Sequence, residues 1–308
     1  MFKPSGIFAA MLTPFKDDYS INEPELRRMV DFQIERGLNG LFPVASIGEA
    51  VQMSVEEKIR MTAIVIEQAG GRVPVCPGIA ASNPQESLLL ARKAEENGAS
   101  AVVVSPPYYF QPTQESLERF FEVVADGAGL PIILYNIPLF TVPISYDVVK
   151  RLSRRENVVA MKDSSGSMVD LMHFMDKIRI VGTEMNFLTG REENLLASLT
   201  MGAKGCMTAS AGILPEILSG IYKAFQEGEM DYARELQFSI LNMIRASFAL
   251  PLPLGFKVSM EQRGFSMGPT KLPISGAEKY LYRNIKSRIE TIMNGLKKRY
   301  PKLMKPAS

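Results

Sequence analysis

Across residues 6–228 short apolar runs alternate with longer amphipathic stretches, and several runs are unbroken, as in Ala101-Val102-Val103-Val104 and Ile132-Ile133-Leu134. That alternation marks βα units feeding a parallel sheet. Unbroken apolar runs are expected where helices cover the sheet, because neither face of the strand then meets water. The predicted strands are 6–13, 40–44, 73–78, 101–105, 131–136, 158–163, 185–189 and 205–208. The intervening helices carry readable punctuation. Ser54 and Glu57 form a capping box ahead of a helix at 59–69. Asn83 followed by Pro84 reads as an N-cap with proline at the first helical position, and Asn97-Gly98 ends that helix. Further helices fit 22–36, 113–126, 145–155, 167–177, 192–200 and 215–227.

Eight strand–helix units of roughly 28 residues match the ~250-residue scale of a (β/α)8 TIM barrel, an α/β fold. A doubly wound open sheet is the competitor, but its glycine-rich loop after the first strand is missing. Residues 230–308 are helical in pattern, broken at Pro251, Pro253, Gly255, Gly264 and Gly268. The chain is therefore divided into a catalytic barrel at 1–229 and additional C-terminal helices at 230–308 that pack on it.

Composition excludes several classes. The 35 basic and 33 acidic residues leave +2, so no bulk charge points to nucleic acid or an anionic membrane. Two cysteines, Cys76 and Cys206, make neither a disulfide framework nor a zinc spacing, and fit a reducing compartment. The first apolar stretch, 7–12, stops at Thr13-Pro14 and is too short for a signal segment, and no run approaches the ~18 apolar residues of a membrane span. A soluble cytoplasmic protein is expected.

Barrel chemistry sits at the C-terminal ends of the strands. Those ends carry Ala45-Ser46-Ile47-Gly48-Glu49, Pro106-Pro107-Tyr108-Tyr109, Tyr135-Asn136-Ile137-Pro138, Lys162-Asp163-Ser164-Ser165-Gly166 and Gly190-Arg191-Glu192-Glu193. Lys162 is the most informative. Burial at a barrel mouth disfavours an ammonium, and a neutral amine attacks carbonyls to give a Schiff base. A strand-end lysine that merely snorkels to water is the plain alternative. Tyr135, Tyr109 and Ser46 are hydroxyls able to move protons beside it, and backbone N–H groups around Ser46 to Gly48 form a nest for a carboxylate. His173, the one histidine, falls on a helix away from these ends, and the basic cluster of Lys297, Lys298, Arg299, Lys302 and Lys305 suits the end of a last helix.

These motifs, in this order, resemble the dihydrodipicolinate synthase/N-acetylneuraminate lyase family of pyruvate-dependent class I aldolases. The likeness runs from Gly6 to about Pro273 and rests on Gly48-Glu49, Pro107-Tyr108-Tyr109, Tyr135-Asn136-Ile137-Pro138 and Lys162-Asp163-Ser164-Ser165-Gly166. It implies that Lys162 forms an imine with pyruvate, with Tyr135 as general acid/base. Ser46 then stands at a hydroxyl relay completed by Tyr109, which in this family usually enters the neighbouring subunit's site. The Ser46-Ile47 loop holds the pyruvate carboxylate. No metal or organic cofactor is required, and a homotetramer built from tight dimers is expected.

Departures bear on the substrate. Ile47 replaces a hydroxyl residue usual in the family, a loss of ~1.5–3 kcal/mol if that hydroxyl bonded a charged group. Phe140 occupies the position of the arginine that, in the lysine-pathway synthases, reads a distal carboxylate. Gly190-Arg191-Glu192-Glu193 instead resembles the Gly-x-Asp-Glu of sugar-acid lyases, and Met207 on the last strand joins the expected binding wall. The preferred expectation is an aldolase of a 2-keto-3-deoxy sugar acid or similar 2-keto acid. The alternatives are 4-hydroxy-tetrahydrodipicolinate synthase, a dehydratase using the same imine, and a non-catalytic ligand-binding barrel.

Overall fold

The computed structural model describes residues 2–304, so Lys305 of the basic cluster lies outside the described residues. Among the described residues seven parallel strands run β1 (Gly6–Ala10), β2 (Gly40–Phe42), β3 (Val102–Val104), β4 (Ile132–Asn136), β5 (Val158–Asp163), β6 (Asn186–Thr189) and β7 (Gly205–Thr208), in the order β2-β1-β7-β6-β5-β4-β3. The helices are α1 (Glu23–Glu35), α2 (Val55–Ala69), α3 (Pro84–Glu96), α4 (Gln114–Gly127), α5 (Tyr146–Leu152), α6 (Met168–Val181), α7 (Leu195–Thr200), α8 (Ala209–Ile213) and α9 (Pro215–Gln226). They are followed by α10 (Met230–Ser239), α11 (Leu241–Ser247), α12 (Leu254–Glu261) and α13 (Gly276–Arg299).

The strand expected at 73–78 is the one that does not form as a continuous strand. Its backbone nevertheless fills the gap between β2 and β3. Cys76 N donates to Leu41 O at 2.8 Å, Gly78 N to Pro43 O at 2.9 Å, and Val103 N to Pro77 O at 2.9 Å. Pro74 and Pro77 have no N–H, so this segment supplies bridges at Val75 and Gly78 rather than a full ladder. The eighth position closes the barrel all the same.

Side chains alternate as a covered parallel sheet requires. Phe8, Phe42, Val103, Ile133, Tyr135, Leu188 and Met207 belong to one interior cluster. Their strand neighbours Ile7, Leu41 and Cys206 pack in one outer cluster, and Val102, Val104, Ile132, Leu134 and Phe187 in another, both shared with helices. Helix starts follow the sequence signals. Ser54 accepts from Glu57 N while Glu57 reaches back to Ser54 N at 2.9 Å, and Asn83 accepts from Glu86 N. One β-bulge interrupts the sheet, where Ile132 pairs with Val158 but Ile133 pairs with Ala160, leaving Val159 as an extra residue. No helix among the described residues is long and apolar enough to cross a membrane.

Candidate active site

At the C-terminal mouth of the barrel lies a cavity of about 380 Å³. Lys162 enters it from β5 and Tyr135 from β4, side by side because the two residues are paired in register. Lys162 is 3% exposed. Its Nζ lies 3.9 Å from the Tyr135 ring centroid and 4.8 Å from that of Phe42, and among the described residues no carboxylate comes within 4.0 Å of it. An amine buried on two rings without a counter-ion is unusual, since buried charges are ordinarily paired.

The next residues on each strand point the other way and lock the pair. Asn136 Nδ2 donates to Asp163 Oδ1 at 2.7 Å, Ser165 Oγ donates to Asp163 Oδ2 at 2.7 Å, and Ile144 N donates to Asn136 Oδ1 at 3.1 Å. Burial pushes the Asp163 carboxyl up, and these hydrogen bonds oppose it. Asn136 and Asp163 are thus positioning residues for the two strand ends. Gly190 is the reason Lys162 has room. A Cβ there would meet Ser164 Oγ at 1.8 Å and Lys162 Cε at 2.9 Å. Gly190→Ala is therefore expected to cut aldolase turnover by about tenfold or more, the scale set by a misplaced reacting group. Steady-state rates checked beside circular dichroism would show it; unchanged turnover would contradict the steric argument.

After β2 the chain turns through Val44, whose φ of +57° is strained for a β-branched residue, into a 3-10 turn at Ser46–Gly48. The amides of Gly48 and Glu49 close that turn onto Ala45 O and Ser46 O, whereas those of Ser46 and Ile47 have no acceptor among the described residues. Ser46 and Ile47 line the cavity, but Gly48 does not. This corrects the expectation for Gly48: its amide is used, and a Cβ would lie 2.5 Å from Met11 O, so it packs the loop against β1. Glu49, expected only as part of a motif, makes a buried ion pair with Lys257 of α12 at 2.8 Å and accepts from Lys271 N at 2.6 Å.

Other expected residues divide similarly. Phe140, Gly190, Arg191, Glu192 and Met207 all line the cavity. Arg191 stacks 5.5 Å from the Phe248 ring and, among the described residues, has no carboxylate partner. Glu192 is buried; its carboxylate accepts from Ser210 N at 2.8 Å, and its carbonyl accepts from Gln237 Nε2 at 2.9 Å. It therefore braces β6 against α8 and α10. Burial pushes this carboxyl above its ordinary 4.5. A group raised in the folded state binds more protons there, so its contribution to stability falls as pH rises above 4.5. Glu192→Gln keeps an acceptor for Ser210 without the charge. Urea titrations from pH 4 upward should show the variant gaining stability relative to the parent chain.

Tyr109 does not reach the cavity of its own chain. It is 90% exposed at φ +80°, edge-to-face with the equally outward Phe110, while Tyr108 takes the place on the cavity wall. Among the described residues no hydrogen bond joins Ser46, Tyr135 and Tyr109 into a relay. Sequence reasoning missed Phe42, Ser164, Thr208, Phe248, Leu252 and Phe256, all on the wall. The last three arrive from 241–261, where Pro251 and Pro253 mark the loop that dips to the mouth. Cys76 and Cys206 are free and buried, which pushes both thiols up and leaves them unreactive. His173 is exposed on α6 beside Tyr146.

A parallel (β/α)8 barrel that presents a buried amine at its C-terminal mouth defines a class of enzyme, one that captures carbonyl compounds as lysine imines. Comparison with known proteins narrows the class. The model of the dihydrodipicolinate synthetase family matches residues 3–292. A 4-hydroxy-tetrahydrodipicolinate synthase of Pelobacter propionicus is 36% identical over 276 residues, covering 89% of this chain and 93% of its own. One from Methanothrix thermoacetophila is 34% identical, covering 88% and 90%. Among solved structures, YagE, an Escherichia coli K12 prophage protein of the dihydrodipicolinic acid synthase family in complex with pyruvate, superposes with a TM-score of 0.87 at 27% identity, covering 94% of this chain and 98% of that one. The chain belongs to the dihydrodipicolinate synthetase family and is a class I pyruvate-dependent aldolase.

Proposed function

We propose that Lys162 is the imine-forming residue, and the observation that carries this is its burial without a counter-ion beside Tyr135, which it meets in register. The unoccupied amides of Ser46 and Ile47 hold the pyruvate carboxylate by backbone donation, a mode that survives the loss of a hydroxyl at Ile47. Tyr135 passes the proton during imine formation and during making or breaking of the C–C bond. The imine is itself the electron sink, so Lys162 supplies what an organic cofactor or metal supplies elsewhere.

Tyr109 serves a second subunit. Its exposure and strained backbone fit a side chain presented to a partner, with Ser46 facing it across the junction. A homotetramer of tight dimers in the cytoplasm follows as part of the same reading. Analytical ultracentrifugation would give the size of the assembly, and Tyr109→Phe and Lys162→Ala subunits, mixed and assayed for activity, should recover part of the turnover if sites are shared between chains; two inactive populations that never complement would refute it.

The reaction is the joining of pyruvate to an aldehyde, or its reverse, on a 2-keto acid. A sugar-acid substrate has less support from Glu192 than its motif implies, since one carboxylate oxygen is committed to Ser210 N. A second reading, 4-hydroxy-tetrahydrodipicolinate synthesis, is favoured by the activity named for the Pelobacter propionicus relative, and by Arg191 as an unpaired cation on the cavity wall where Phe140 offers none. Borohydride reduction in the presence of pyruvate tests the core of the proposal: intact mass should rise by one reduced pyruvate, mapped to Lys162. Folded protein with no adduct would end it.

A further inference from the structure

Five of the large apolar side chains that remain exposed on this protein, Val51, Leu139, Phe140, Phe248 and Leu252, border the same cavity. Their exposure runs from 36% for Leu252 to 60% for Leu139, and together they make an apolar collar around the route to Lys162. A contiguous exposed apolar patch around a cleft marks a surface that a ligand covers. Two carboxylates sit on the cavity wall, Glu49 and Glu192, and both are already bound, to Lys257 and to Ser210 N. A chain of hydroxyls laid against this collar would lose water to side chains that accept no hydrogen bonds, which is costly for each group so placed. Arg191 adds a flat guanidinium held against Phe248, a surface on which a ring stacks.

We propose that the aldehyde this barrel joins to pyruvate is aromatic, its ring seated against Phe140, Leu139 and the Arg191–Phe248 pair. The inference rests on the aldolase reading above and names the partner substrate of that same site. In the step, the enamine carbon from the pyruvate methyl forms a bond to the aldehyde carbon. The carbonyl π pair moves to the aldehyde oxygen, which takes a proton by way of Tyr135. The water lost in forming the imine is matched by the water that cleaves it, releasing a 4-aryl-4-hydroxy-2-keto acid and the free Lys162 amine. No oxidant or reductant enters.

Purified enzyme would be given pyruvate with benzaldehyde, glyceraldehyde or aspartate semialdehyde, following product by mass and initial rate, alongside borohydride trapping with pyruvate alone. Benzaldehyde should be favoured in kcat/KM by at least about tenfold, the range an apolar pocket delivers. Phe140→Ala should lower the ratio of benzaldehyde to acetaldehyde turnover by a similar factor, a selective loss that general damage to the fold does not produce. Trapping at Lys162 with glyceraldehyde or aspartate semialdehyde preferred, or with no preference, overturns the aromatic assignment and leaves the aldolase standing. An equal loss for both aldehydes in Phe140→Ala overturns the seat assigned to the ring. No trapping at all overturns the aldolase reading and this inference with it.

Discussion

Lys162→Ala is expected to abolish the borohydride-trapped pyruvate adduct and to lower kcat by about 10⁴-fold or more, the scale on which enzymes lose activity when a covalent nucleophile is removed. No other amine replaces it. Lys257, the other buried lysine near the mouth, is held between Glu49 at 2.8 Å and Pro269 O at 2.6 Å. The fold is expected to survive, because Lys162 makes no ion pair whose loss would strand a partner; truncating it removes a buried polar group rather than exposing one. Intact mass, steady-state rates and thermal unfolding on the two proteins check all three statements. An adduct persisting in the variant would place the imine on a different residue.

The second large effect concerns stability. Glu49 and Lys257 are 3% and 2% exposed, and their pair ties the loop after β2 to α12. Glu49→Ala leaves a buried ammonium without its carboxylate, an arrangement that costs about 3–5 kcal/mol. Against typical domain stabilities of roughly 5–15 kcal/mol that is a large fraction. Replacing both residues with apolar ones of similar size should recover much of the loss, since no charge is then left buried.

The pH dependence has a defined sign. Burial already pushes Lys257 below its ordinary 10.5, opposed by Glu49. In Glu49→Ala that opposition is gone, so the folded state sheds the proton more readily than the unfolded one. Between the folded value and 10.5 the unfolded state binds more protons, and stability rises with pH. The penalty of the variant should therefore shrink as pH approaches 10.5. Denaturant titrations at pH 7 and pH 10 would show this, and a penalty that stays constant would mean the two groups do not interact as described.

Much of the barrel was legible along the chain because its units are local. The capping box at Ser54 and Glu57 and the Asn83-Pro84 start act within one turn of helix, and both formed as read. Apolar runs such as Ala101-Val102-Val103-Val104 announce a covered sheet for a similarly local reason. The segment 73–78 has the same apolar character, but its prolines decide how many ladder bonds it makes, and only the neighbouring strands show that two bridges suffice to close the barrel. Glu49 and Glu192 were read as features of their own loops. Their partners, Lys257 and Gln237, lie 208 and 45 residues further along the chain, separations across which no sequence period carries information.

Sequence by itself determined that a lysine would stand at the end of the fifth ladder strand next to a tyrosine from the fourth. It did not determine which way that lysine faces. Side chains alternate along a strand with a period of two, so a shift of one residue moves every later side chain to the opposite face. Val158 packs in the outer layer with the helices; counted strictly from there, Lys162 would also point outward. The extra residue at Val159 resets the phase: Val159 and Ala160 both join the interior cluster, Met161 turns outward, and Lys162 turns into the cavity opposite Tyr135. A bulge arises from how one strand must fit its neighbour, so the direction of the reactive amine was settled by tertiary pairing between β4 and β5.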